Sequence, residues 1–473
     1  MKNSRPSETM ILCLILALNV AVKITSGVMG FMPRQQSVVQ KTSKHNNGQV
    51  KRRQHRSSTL FMTQVHENRE LMQQLYDDKY YAPPDQTVTR YNSPNNSQIT
   101  LTRFLSNVVK DNPKLKENQS LLLAVQMACK TISNLVNRAG LAYSIQNDDR
   151  DDNDESSGGG GGGGAVGAAM GTSTEYSDGR FYSMKRLDKI STTVLKNALK
   201  FTGKVHTIAP QAKMDSEVPQ DHQPGVLIAS ALDSNYVACF DPLDGSGNAD
   251  ASICTGTVFG VFEKKKREDG SDGRTDDEDQ LLDAVLQPGR KMRMAGYCLY
   301  SSATVLVFTL KDGVYGFTLD PQTQEFVLTH DNLTIPKRGN VYSCNEANSE
   351  GWVNENWKSY LKRLKLGQGE TKTRYAHRYV GSMVGDIHRT LLYGGIFAYP
   401  SDTLQHPEGN LQLSYKSAPM AFLVHRAGGK ALDESGSDLL DKKPDRIHQK
   451  SPCFMGSPDD VNELKSFLTK SSS

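Results

Sequence analysis

The residues best placed to do chemistry are Asp241 and Asp244, in the string Asp241-Pro242-Leu243-Asp244-Gly245-Ser246-Gly247. The hydrophobic run Tyr236–Phe240 leads straight into them, so a buried strand is expected to end at Phe240 and deliver two carboxylates onto a turn. Pro242 stiffens that turn, so both acids can face one site, and Gly245 lets the backbone approach a ligand closely. The amides that follow and the Ser246 hydroxyl can hold a phosphate oxygen, as helix N-termini and nests do. Paired hard oxygens on a rigid turn suit Mg²⁺, with a phosphate as a further ligand. A lone Asp-x-x-Asp is more often turn chemistry than a site. The longer string directly after a strand is the more specific signal.

The elements that must position these residues are legible as periodic runs. Leu121, Leu122, Val125, Ala128, Ile132, Leu135 and Val136 form a helical stripe that begins at Ser120 and is stopped by Gly140. Besides Tyr236–Phe240, the runs Thr255–Phe262, Ala303–Leu310 and Gly313–Leu319 read as strands, bounded by Gly, Pro or Asp. Helical patterns return at Trp352–Leu364, Gly381–Leu392, Ala418–Ala427 and Pro458–Leu468. Seven consecutive glycines, Gly158–Gly164, follow an acidic stretch, so residues 147–178 are expected to be a mobile loop. A second acidic insertion covers Glu268–Asp279. With no internal repeat, mixed strands and helices imply a layered α/β or α+β architecture.

The chain has 473 residues, enough for two or three domains or one large α/β unit. Its net charge of +4 hides a division. Residues 1–66 hold ten Lys and Arg against one acid, Glu8, which leaves 46 basic and 51 acidic residues in 67–473. The body is mildly acidic, which argues against nucleic-acid binding as its work. In the basic segment, Lys2 and Arg5 precede an apolar run from Met10 to Val22, too short for a membrane span and suited to a signal peptide over 1–30. Residues 31–66 begin with Phe31 and carry no acid, a transit-peptide composition. A signal peptide followed by a Phe-led transit peptide resembles the bipartite leaders of algae with complex plastids. The expected destination is the plastid stroma, with secretion or the ER as the alternative. Residues 67–98 read as a linker, and no other apolar run of membrane-spanning length occurs. Cys129, Cys239, Cys254, Cys298, Cys344 and Cys453 lack CxxC or zinc-type spacing and read as buried reduced thiols.

The Asp241–Ser246 string resembles the signature of the Mg²⁺-dependent sugar- and inositol-phosphate phosphatases. Further stretches narrow the likeness: Ile99–Phe104, Thr255–Gly260, Leu286–Arg290, Tyr379–Met383, Asp386–Thr390, Gly394–Phe397, Pro419–Ala421 and Gly456–Val461 all resemble class I fructose-1,6-bisphosphatase, collinearly from about residue 99 to 468. The resemblance implies a layered αβαβα sandwich of two subdomains, 99–332 and 333–470, assembled as a homotetramer. It implies hydrolysis of the 1-phosphate of fructose 1,6-bisphosphate with Mg²⁺ as cofactor, a step of gluconeogenesis and the Calvin cycle. Asp188 matches the carboxylate that helps activate water, and Asp241 and Asp244 match metal ligands. Gly245 and Ser246 match phosphate contacts. Asn345, Arg378, Tyr379 and Tyr399 match the 6-phosphate pocket, with Arg378 reaching a neighbouring subunit's site.

The chain departs from that pattern at the metal cluster. An aspartate implied six residues before Asp188 is Tyr182, the implied glutamate pair falls on Pro210-Gln211, and a glutamate three residues before Pro419 is Lys416. In the sugar pocket, an implied tyrosine is Asn348 and an implied lysine is Asn410. Loss of carboxylates and gain of a cation weaken Mg²⁺ binding. The bland reading of Lys416 is a solvated surface residue; its place between Tyr415 and Pro419 favours the site. Three readings follow: a working fructose-bisphosphatase; a catalytically silent relative that binds a sugar phosphate or regulates a true enzyme, with Lys416 in place of a metal; or a purely structural partner with no ligand. The insertion between Glu263 and Asp283 has no cysteine, so the thioredoxin switch of plastid members is not expected.

Overall fold

The structure, a computed structural model, describes residues 99–139, 178–211, 228–229, 234–264, 278–310 and 313–469. Residues 1–98, where the leader and linker are expected, and residues 147–177 of the expected mobile loop lie outside these. In chain order the described elements are α1 (Leu101–Asp111), α2 (Lys116–Asn137), α3 (Asp178–Phe201), β1 (Val205–Pro210), β2 (Ile228–Ala229), β3 (Tyr236–Asp244), β4 (Thr255–Glu263), α4 (Glu278–Val285), β5 (Met292–Tyr300), β6 (Thr304–Leu310), β7 (Gly313–Leu319) and β8 (Phe326–His330). Then follow β9 (Val341–Ser343), α5 (Glu355–Leu366), β10 (Ala376–His377), α6 (Met383–Tyr393), β11 (Ile396–Tyr399), α7 (Ala418–Arg426), β12 (Lys430–Leu432), β13 (Cys453–Gly456) and α8 (Pro458–Leu468).

Two sheets organise them. The first runs β2-β1-β3-β4-β5-β6-β7-β8 and the second β10-β9-β11-β13-β12. In the first sheet β1 and β3 are parallel and the other pairs antiparallel. Strands β1 and β3–β6 are buried on both faces, because successive side chains enter different cores. Val237 and Cys239 of β3 join one core with Met383, Ile387, Met420 and Leu423 of α6 and α7, while Ala238 and Phe240 join another with Leu121, Val125 and Leu195 of α2 and α3. A third core sets Trp357, Tyr360 and Leu464 of α5 and α8 against Phe454 of β13. The layers are therefore α1–α3, first sheet, α6–α7, second sheet, α5 and α8. This is the αβαβα sandwich.

The strand and helix runs read from sequence all fall on elements, with shifts at their ends. The helix expected from Ser120 begins at Lys116, where Asn112 caps the preceding turn by accepting from the Lys114 amide. The strand expected to end at Phe240 continues through Asp244. All six cysteines of the described body are free, and all but Cys254 are fully buried.

Candidate active site

The correction at β3 explains the site. In a regular strand, residues three apart face opposite sides of the sheet. Here Asp241 pairs with Val258 and Asp244 with Gly256, so three steps on β3 oppose two on β4. The extra residue is a β-bulge, and it turns both carboxylates to one side. Pro242, which has no N–H for the ladder, sits inside it. Gly245 then adopts a left-handed conformation (φ 69°) that starts the Ser246–Asn248 turn. The parallel strand β1 ends alongside at Pro210, and the Gln211 amide donates to the Phe240 carbonyl at 2.8 Å, which sets the Gln211 side chain beside Asp241.

Lys416 arrives from far along the chain. It lies in a wide turn, Leu413–Ser417, where the Ser417 amide donates five residues back to Gln412 at 3.0 Å before α7 begins. Its side chain is 13% exposed, not solvated, and its ammonium sits 3.0 Å from Asp241 Oδ2 and 3.0 Å from Asp244 Oδ1. The Gln211 amide, oriented to satisfy both groups, donates to Asp241 Oδ2 at 2.9 Å and Oδ1 at 2.6 Å. The Leu243 amide donates to Asp241 Oδ1 at 3.1 Å and the Val384 amide to Asp244 Oδ2 at 3.4 Å. Every carboxylate oxygen thus has a donor. Burial pushes the Asp241 carboxyl up, against the pull of Lys416. The two carboxylates outweigh burial at Lys416 and hold its ammonium well above the usual lysine range.

Asp188, buried on α3, accepts from the Ser246 hydroxyl through Oδ2 at 3.2 Å. A cavity of about 380 Å³ opens beside this group. Its wall includes Gln211, Asp244, Gly245, Tyr379, Tyr399, Asn410 and Lys416. The Asn410 amide donates to the Tyr399 hydroxyl at 3.2 Å. Buried Asp386 on α6 accepts from the amides of Val380 and Gly381 and from Arg389, which anchors the loop carrying Tyr379. Burial raises the Tyr379 phenol, so it enters the cavity as a neutral hydroxyl.

Other expected residues stand apart from this wall. Arg378 is exposed and its guanidinium turns back to the His377 carbonyl at 2.8 Å. Asn345 caps the following turn, hydrogen-bonds Tyr399, and donates to Asn348 at 3.4 Å. Asn348 in turn donates to Asp402 at 3.1 Å. Tyr182 lies in α3, and its side chain falls outside the described residues. Sequence reasoning missed Lys450 and His448. The bridge Gln412↔Lys450 carries them to the wall, where His448 Nδ1 meets the Tyr415 hydroxyl at 2.9 Å. No spacing in the sequence signals that approach.

Residues 168–331 match the family profile described as Fructose-1-6-bisphosphatase, N-terminal domain, and residues 335–469 match its C-terminal domain. The chain belongs to the fructose-1,6-bisphosphatase family. It is 39% identical over 352 residues to the chloroplastic fructose-1,6-bisphosphatase of Brassica napus, covering 74% of this chain and 76% of that protein. The cytosolic enzyme of Oryza sativa subsp. indica is 36% identical over 369 residues, covering 78% of this chain and 94% of the relative. The holo form of Leishmania major fructose-1,6-bisphosphatase superposes with a TM-score of 0.62 at 34% identity, over 79% of this chain and all of that one. By family, then, the protein is a phosphatase of carbohydrate metabolism, and that family generally uses a divalent metal.

The residues here do not fit one. Mg²⁺ needs anionic oxygens at about 2.0–2.1 Å with free lone pairs. The oxygens of Asp241 and Asp244 that converge on the site accept from an ammonium and an amide instead. The remaining positions of the implied cluster, Tyr182, Pro210 and Gln211, offer no carboxylate.

Proposed function

We propose that this member of the fructose-1,6-bisphosphatase family binds a sugar phosphate in the cavity beside the β3 bulge. Hydrolysis of the 1-phosphate of fructose 1,6-bisphosphate to fructose 6-phosphate and phosphate then runs slowly at most. The observation that carries this reading is the Lys416 ammonium, 3.0 Å from each of Asp241 and Asp244. A lysine serves phosphate as a point charge. It neutralises an oxygen, but it cannot lower the pKa of a bound water as a metal does. Lys416 offsets the two carboxylates beside the phosphate, and Lys450 supplies the positive charge that faces it. Gly245 and Ser246 frame it, and Tyr379, Tyr399 and Asn410 face the sugar. On this reading Asn345 supports Tyr399, and Arg378 acts in a neighbouring subunit of a homotetramer. The boundary between the halves lies at Asn332, which follows β8 at a φ of 51°.

Calorimetry and a phosphate-release assay on the purified protein test the reading together. Fructose 1,6-bisphosphate should bind in chelator, and Mg²⁺ should change neither affinity nor the low turnover. Robust Mg²⁺-dependent phosphate release would overturn it. That outcome belongs to the second reading, a working phosphatase, which the retained Asp188–Ser246 contact favours. Sedimentation of the same sample measures the tetramer, and a monomer would count against the role of Arg378.

The plastid destination is part of the same proposal. Relatives from Brassica napus, Arabidopsis thaliana and Spinacia oleracea are chloroplastic by name. Residues 1–66 fused to a fluorescent reporter should reach the plastid of an alga with a complex plastid. Delivery that persists after Phe31→Ala would sink the Phe-dependent leader.

A further inference from the structure

We propose that Cys344, Glu346 and His377 form a site for a thiophilic divalent transition metal, Zn²⁺ foremost. The site is separate from the cavity and independent of what the cavity binds. The Cys344 sulfur, a Glu346 carboxylate oxygen and a His377 ring nitrogen lie within 4.8 Å of one another. Neighbouring parallel strands bring them together: β9 runs directly into Cys344, and His377 on β10 sits in register with Tyr342. Tetrahedral Zn²⁺ with sulfur at about 2.3 Å and nitrogen at about 2.0 Å places its donors roughly 3.5 Å apart, so the ligands close by a rotamer adjustment.

The donor set points to this class of metal. Thiolate with imidazole selects Zn²⁺ over Mg²⁺ or Ca²⁺, and three protein ligands leave a fourth position open. The surrounding contacts already orient the ligands as a metal site requires. His377 Nε2 lies 2.9 Å from the Cys344 carbonyl. A carbonyl only accepts, so Nε2 carries the ring proton and Nδ1 keeps its lone pair. The imidazole stacks on Tyr342, with centroids 5.1 Å apart. The Tyr342 hydroxyl donates to Glu346 Oε1 at 2.6 Å, and Lys365 pairs with Oε2 at 2.9 Å. A metal would share Glu346 with Lys365, which tempers its affinity. Cys344 is buried while His377 is exposed, so an ion enters from the His377 side.

The test is a Co²⁺ titration of the full-length chain, stripped with chelator, followed by Zn²⁺ competition. One equivalent of Co²⁺ should give a thiolate charge-transfer band, and Zn²⁺ should abolish it. Cys344→Ser should remove the band, and His377→Ala should weaken binding at least tenfold. Thermal unfolding in chelator confirms that both variants are folded. A band that survives Cys344→Ser, or Co²⁺ and Zn²⁺ binding no tighter in the native chain than in a chain carrying both Cys344→Ser and His377→Ala, would overturn the proposal.

Discussion

At the scale of single residues, the site is set by one cation standing where the family pattern calls for an acid. Removing Lys416 leaves two buried carboxylates facing each other with the Gln211 amide as their main consolation. Breaking a buried ion pair from one side costs about 3–5 kcal/mol. Lys416→Ala should therefore lower stability by that order in denaturant titrations. It should also open a space lined by anionic oxygens, so millimolar Mg²⁺ should raise the melting temperature of Lys416→Ala and leave the native protein unmoved. A Mg²⁺ response in the native protein would contradict the accounting of donors around Asp241 and Asp244. Lys416→Glu supplies the missing acid yet keeps Pro210 and Gln211, so it should not recover phosphatase turnover by itself. Strong recovery from that one change would overturn this account of the site. The two aspartates were legible because their string is contiguous. The mutual contact was not, since 172 residues separate Lys416 from Asp244 and only tertiary packing closes that gap. The same holds for His448 and Lys450.

At the scale of elements, local pattern was a good guide wherever the apolar period was strong. It failed at β5, whose Met-Arg-Met-Ala-Gly start is poor in β-branched residues. It also failed at α3, although Leu187, Leu195 and Leu199 keep a helical spacing, because polar residues crowd between them. The bulge in β3 was hidden because strand pairing, not sequence, creates it. Helix α6 carries a further consequence. His388 Nδ1 shares a 2.7 Å hydrogen bond with the buried Tyr297 hydroxyl, and burial pushes its imidazole down to about 4. An unfolded histidine titrates near 6.5, so below that pH the unfolded chain takes up the proton first. This contribution to stability is complete above about pH 6.5 and lost as pH falls toward 4, by about 2–3 kcal/mol for a partly buried group. Urea unfolding from pH 7 to pH 5 should show the loss, and His388→Asn should flatten that slope. An unchanged slope in the variant would assign the acid sensitivity elsewhere.

At the scale of the whole molecule, neither half holds a complete site. The ends of β1 and β3 contribute Gln211, Asp241, Asp244 and Gly245, and the chain after Asn332 contributes Tyr379, Tyr399, Asn410, Lys416 and Lys450. The five-layer order was legible from the collinear motifs. How closely the layers meet was not, because that distance is set by which residues lack side chains at the crossing. Gly256 on β4 is the case in point. It pairs with Asp244, and a Cβ there would come within 2.6 Å of Val384 on α6 and 2.8 Å of the Cys298 carbonyl. That close approach lets the Val384 amide reach Asp244, and the same helix start carries the loop that presents Tyr379. Gly256→Ala must push α6 outward. Overpacking of this kind costs about 1–3 kcal/mol. The variant should also bind sugar phosphate several-fold more weakly although no cavity residue has changed. Denaturant titration and calorimetry on the same sample check both parts. Lost stability with unaltered binding would mean that the cavity tolerates a displaced α6, and that the halves need not meet so closely for the site to work.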